Sequence, residues 1–219
     1  MPDYSTVKYT EIADEIMANA AGLHFEVTTL AKFFLRTDFL GDNRHFPHAH
    51  GGLLMACMGQ IDVMSKCEFG IGEPQGGQTP RMRSFMERYL DARKTDEHRV
   101  AVQLMRHTLM HTGALRWLYD PRAEAAYTWR LHYTETLPAE YGHYTLTPVD
   151  DLSIGYDELL AAVGGNVVTV MVLNLDIMMF AADIMRAAQV YATAMKADPT
   201  LQTNCEAVYP SVRVQRLAY

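Results

Sequence analysis

Residues 166–185 read "NVVTVMVLNLDIMMFAADIM", the longest apolar run in the chain, and the fold class turns on how it is read. Asn174, Asp176 and Asp183 interrupt it. Polar breaks of this kind, set in a charged chain, favour a buried core helix over a membrane span, where each such group is expensive. The run therefore reads as the middle of one long helix from about Tyr156 to about Lys196, loosened at Gly164 and Gly165. That places a helical bundle, not a sheet, at the centre of the protein.

Upstream the pattern agrees. From Tyr9 to about Leu40, Ile12, Ile16 and Ala20 recur at helical spacing, as do Leu23, Val27, Leu30 and Phe34 beyond an expected break at Gly22. The segment "GDNRHFPHAHGG" (41–52) reads as a loop, with Gly, Asn and Pro as breakers. "LLMACMGQIDVMSKCEFG" (53–70) is apolar on nearly every face and belongs inside a bundle. After the Gly/Pro-rich loop 70–79, Thr79 and Pro80 look like the N-cap and first position of an amphipathic helix with Met82, Phe85 and Tyr89 on one face. Residues 99–112 form another helix, with Val102, Met105 and Leu109 on one side and Gly113 placed to stop it.

Beyond Pro121 the character changes. "AYTWRLHY" (126–133) alternates and is rich in β-formers, and "HYTLTPV" (143–149) repeats the habit after a turn. Together they predict a two-stranded antiparallel hairpin over about 125–149. The expected architecture is mainly α, a single domain over 1–219. Its bundle occupies about 9–120 and 155–196, the hairpin is inserted, and a C-terminal arm or short strand follows over 197–219.

Composition narrows the function classes. The chain has 219 residues, 49% hydrophobic and 21% charged, with a formal net charge of −7. Such a balance argues against a nonspecific DNA coat, because neutralising phosphates needs a basic surface. Cys57, Cys67 and Cys205 form no CxxC pair, and a reducing cytoplasm suits them better than a disulfide framework. No N-terminal segment has the basic start and apolar core of a signal peptide. Neither a membrane nor DNA is an expected partner.

The chemistry concentrates in "VQLMRHTLMHTG" (102–113). At about 100° per residue, His107 and His111 lie about 40° apart on one helix face, with Arg106 roughly 100° from the first. Such a face offers a titratable imidazole beside a permanent cation. Phosphodiester transfer without metal needs that pair: His as general acid or base, and Arg to hold the phosphorane oxygens.

Here the chain resembles the HEPN superfamily, small helical-bundle domains many of which are metal-independent ribonucleases of toxin–antitoxin and antiviral systems. Their motif is Arg, four to six residues, then His, often with a polar residue after the Arg. In this chain it reads "RHTLMH", Arg106 to His111, with His107 at the polar position. The resemblance covers about 20–195. It implies a homodimer in which two motifs meet across the interface, RNA as substrate, no cofactor, and an antitoxin or other protein partner. It also implies the alternative of a non-catalytic nucleotide- or protein-binding module.

The pattern occurs three times. "RHFPHAH" (Arg44 to His50) contains Pro47 and reads as loop, and "RKTDEH" (Arg93 to His98) occupies a polar turn. Only the third sits on a helix beside a core stripe. A structural reading also stands, in which a His pair near a helix C-terminus complements the dipole. A metal reading would use His45, His48 and His50, joined by Asp38 or Asp42, but that spacing lacks the H-x3-H or HExxH pattern of zinc sites. Asp62, Asp176 and Asp183 could orient an imidazole, although pairing with an Arg or a helix end is the favoured reading. Trp117, Tyr119, Trp129 and Tyr133 could stack bases, with packing against the bundle preferred.

Overall fold

The computed structural model describes residues 8–35, 47–72, 77–106, 117–132, 144–149 and 169–213; side chains at 33–35, 47–50, 132 and 211–213 are excepted. Among the described residues the protein is mainly helical, with six helices and one four-stranded sheet. In chain order these are α1 (Tyr9–Leu35), α2 (Pro47–Phe69), α3 (Gln78–Tyr89), α4 (Thr95–Leu104), β1 (Leu118–Asp120), β2 (Ala125–His132), β3 (Tyr144–Pro148), β4 (Thr169–Asp176), α5 (Ile177–Ala197) and α6 (Pro199–Arg213). Among them no helix is long and apolar enough to cross a membrane. The chain divides into two compact units, one of Met1–Thr29, Ala56–Thr95 and Ala181–Tyr219, the other of Leu30–Met55 and Asp96–Phe180.

The apolar run at 166–185 is the main correction to the sequence reading. It is not one helix: Thr169–Asp176 is a strand, and the helix begins at Ile177. β4 lies between β2 and β3 in the order β1-β2-β4-β3, parallel to β2 and antiparallel to β3. Its residues from Val172 to Asp176 are all buried, so both faces are covered. A strand buried on both faces shows a near-continuous apolar run, which periodicity cannot separate from a core helix. Asp176 ends the strand and caps the helix, its Oδ1 accepting from the backbone N–H of Met178 (3.0 Å) and Met179 (2.9 Å).

The expected hairpin is corrected for the same reason. The two β-rich stretches are strands, but they do not pair with each other, because β4 fills the space between them. The ladder runs from Ala125↔Thr169 to His132↔Asp176 on one side and from Tyr144↔Leu175 to Pro148↔Met171 on the other. Asn174, buried in the centre of the sheet, donates from Nδ2 to Thr147 Oγ1 at 2.7 Å. In the same unit Tyr144 stacks on Phe180 (5.3 Å between centroids) and lies 5.6 Å from the His98 ring, while its hydroxyl donates to the Glu97 carbonyl. α4 is thus held against the sheet.

In the other unit helix pairs are joined by specific contacts. Phe85 and Tyr89 of α3 meet Tyr191 of α5 edge to face, at 5.6 and 5.4 Å. Tyr9 at the start of α1 donates its N–H to Glu206 of α6. Gly22 does not break α1, because the buried stripe Ile12, Ile16, Ala20, Val27 and Ala31 keeps its helical phase across it. α3 starts two residues earlier than Pro80 suggests. Gly77 precedes it, and Arg81 makes the first backbone bond, to the Gly77 carbonyl, so Pro80 sits where no N–H is needed. The C-terminal segment is helix over Pro199–Arg213, not an arm. Asp198 caps it, accepting from the Thr200 N–H at 2.7 Å, and Pro199 takes the first position.

Gly70 ends α2 at φ 71, with its N–H bonded to the Lys66 carbonyl. A Cβ there would approach Asn204 Oδ1 at 2.8 Å, and Asn204 Nδ2 itself donates to the Glu68 carbonyl at 2.7 Å. Gly70→Ala would therefore force a left-handed alanine, costing about 1–2 kcal/mol, and displace a side chain that caps α2. We expect a loss of roughly 2 kcal/mol in denaturant unfolding, reduced when Asn204→Ala removes the collision.

Candidate functional site

α4 ends two residues before Arg106, the one described member of the Arg106, His107, His111 group. Its buried side consists of His98, Val100, Ala101, Val102 and Leu104, and Met105 is buried just beyond. Met105 and Arg106 open into a wider π-type turn, and Arg106 is exposed. His107 and His111 lie outside the described residues, so the structure places only the cation of the motif.

Of the other two Arg-to-His matches, Arg93 to His98 is described in full, and Arg44 lies outside the described residues. Arg93 lies in the turn before α4, exposed, with Nε 3.0 Å from Asp91 Oδ1, whereas His98 is fully buried beside Tyr144. These two side chains face different environments. His48 and His50 stand in the first turn of α2, because Pro47 opens that helix instead of breaking the chain. The loop reading of 41–52 is corrected from Pro47 onward. The side chains of His48 and His50, and all of His45, Asp38 and Asp42, lie outside the described residues. Among the described residues no group of three or more His, Cys, Asp or Glu is arranged to hold a metal.

The carboxylates have structural partners. Asp62 pairs with Arg81 at 2.6 Å, Asp183 pairs with Arg186, and Asp176 caps α5. Trp129 is buried, which removes it as a base-stacking platform; Tyr119 is exposed and Trp117 half-buried, and Tyr133 lies outside the described residues. Cys57, Cys67 and Cys205 are buried and free, with burial pushing each thiol up to about 12, so none is a nucleophile near neutral pH.

One feature near Arg106 was invisible in the sequence. An open cleft with a volume near 160 Å³ is lined by Arg99, Val100, Gln103, Leu118, Tyr119, Asp120, Pro121 and Tyr127. Arg99 lies over the Tyr127 ring at 5.6 Å and donates to its hydroxyl at 3.4 Å. Its guanidinium also sits 3.8 Å from Asp120 Oδ2 and 3.7 Å from Asp96 Oδ1, ion pairs longer than a hydrogen bond. Arg99, Gln103 and Arg106 are spaced i, i+4, i+7, a signal that could have suggested one shared face. The contribution of β1 could not have been found that way, because β1 reaches α4 only through the fold. Compared with protein-family models, curated proteins and solved structures, the chain has no match.

Proposed function

We propose that the chain is a HEPN-like, metal-independent endoribonuclease of the toxin or defence type, acting as a homodimer in the cytoplasm. The observation that supports this most is the exposed Arg106 where α4 opens into a π-type turn. It is followed at once by the "HTLMH" that carries both imidazoles. Of the two matches whose Arg is described, Arg93 lies in a turn, whereas Arg106 directly continues α4, a helix that packs one side into a core.

In this reading one imidazole takes the proton of a ribose 2′-hydroxyl as its oxygen attacks phosphorus. The bond to the 5′-oxygen breaks, and that oxygen is protonated as it leaves. His111 is the general acid or base, Arg106 stabilises the phosphorane, and His107 positions the phosphate or tunes His111. A 2′-hydroxyl nucleophile makes RNA the substrate and not DNA. The purified protein should cleave single-stranded RNA in excess EDTA, leaving cyclic phosphate ends. His111→Ala should lower that rate about a hundredfold with unfolding unchanged. Parent protein without EDTA-resistant cleavage would sink the proposal.

The net charge of −7 favours a second reading, a non-catalytic nucleotide- or protein-binding module. It predicts binding without cleavage.

A further inference from the structure

We infer that the cleft between α4 and β1 is a base-binding subsite that takes one unpaired nucleobase of an RNA strand whose phosphate lies at Arg106. The inference rests on the RNA-directed reading of Arg106, and the structure adds the subsite.

Size selects the occupant first. A volume near 160 Å³ is well below the roughly 300–1,000 Å³ of pockets that hold drug-sized ligands, and suits a single planar ring system. Chemistry selects next. Leu118, Pro121 and Val100 give the cleft an apolar wall, while Gln103 offers both a donor and an acceptor and Asp120 offers acceptors. That mixture matches the faces and edge of a nucleobase, which is apolar on its rings and carries donors and acceptors around its rim. A phosphate fits poorly, because Arg99, the one cation among the described lining residues, already faces the carboxylates of Asp96 and Asp120. The contact with Tyr127 and the ion pairs place the guanidinium in the cleft wall, where it offers a base a surface on which to stack.

Placement decides the rest. Arg99 and Gln103, four residues apart, share one face of α4, and Arg106 follows three residues after Gln103 in the π-type turn that continues the helix. A strand whose phosphate contacts Arg106 therefore runs past the cleft and can turn a neighbouring base into it. RNA with unpaired bases is selected over duplex, because a paired base cannot leave its stack without cost.

The test measures binding by fluorescence anisotropy in the full-length His111→Ala protein, which separates binding from cleavage. The probes are a short labelled single-stranded oligoribonucleotide, the same chain with abasic sites, and the same sequence as duplex. We expect the base-bearing strand to bind about tenfold more tightly than the abasic strand. Gln103→Ala and Gln103→Trp, the second filling the cleft, should each abolish that difference and leave abasic binding unchanged. Equal binding of base-bearing and abasic strands, equal weakening of both by the Gln103 substitutions, or no RNA binding at all overturns the inference. Base-dependent binding in a parent protein that cleaves no RNA would overturn the nuclease reading and leave the subsite standing.

Discussion

Asp62→Ala should destabilise the protein by about 3 kcal/mol, the low end of the cost of breaking a buried ion pair. Asp62 on α2 accepts from Arg81 Nη2 of α3 at 2.6 Å, and Arg81 Nε donates to Ser65 Oγ at 3.3 Å. Arg81 is the more deeply buried partner, 3% exposed against 31% for Asp62. Removing the carboxylate takes a charged partner away from a deeply buried guanidinium, and an arginine cannot shed its proton to escape. The partial exposure of Asp62 keeps the expected loss near the lower bound. Denaturant unfolding of Asp62→Ala, Arg81→Met and the double variant checks the argument. The double variant should lose clearly less than the sum of the singles, since it leaves no buried charge behind. A single-variant loss within about 0.5 kcal/mol, the range of ordinary surface changes, would contradict it.

Glu68→Gln should make the protein progressively more stable than its parent as pH rises through neutrality. Burial pushes the Glu68 carboxyl up from 4.5 to about 7, although Arg88 beside it opposes the rise. One oxygen pairs with Arg88, while the other is buried and has no hydrogen-bond partner among the described residues. The folded state thus holds the proton more tightly than the unfolded chain does. Its stabilising contribution is complete below about 4.5 and is lost as pH rises through about 7. A displacement of this size corresponds to roughly 3 kcal/mol at about 1.4 kcal/mol per decade. Glutamine keeps the shape and cannot ionise. Melting temperatures of parent and variant should therefore be close near pH 5 and diverge in favour of the variant by about pH 8. Parallel curves across that range would mean that Glu68 is already charged in the folded state at low pH.

Much of the helical framework was legible locally. Ile12, Ile16, Ala20 and Val27 of α1 and the Met82–Phe85 face of α3 follow from spacing alone and are buried, whereas Leu23 is half-buried, Leu30 is exposed, and α2 leaves Met55 exposed instead of being covered all round. The pairing of Asp62 and Asp183 with arginines and the role of Asp176 at a helix end follow from the cost of a buried charge. Punctuation was less informative. Gly22 breaks nothing because the buried stripe of α1 keeps its phase across it, Pro47 opens a helix where no N–H is needed, and Pro210 lies inside one. For the candidate site, the helix leading to Arg106 was readable from its spacing, but α4 ends at Leu104 and Arg106 stands in a π-type turn beyond it. The cleft beside it was not, since Leu118, Asp120 and Tyr127 reach α4 only when β1 and β2 pair antiparallel.

By itself the sequence determined which residues are apolar enough to form a core, where several helices run, and that Arg106, His107 and His111 share a short segment. Only the tertiary structure decided that "TVMVLNLD" is strand and "IMMFAADIM" helix within one apolar run. A helix closes its hydrogen bonds within four residues and leaves a local period. A central strand instead takes its bonds from β2 and β3, dozens of residues away on both sides, so its identity rests on partners that its own residues do not name.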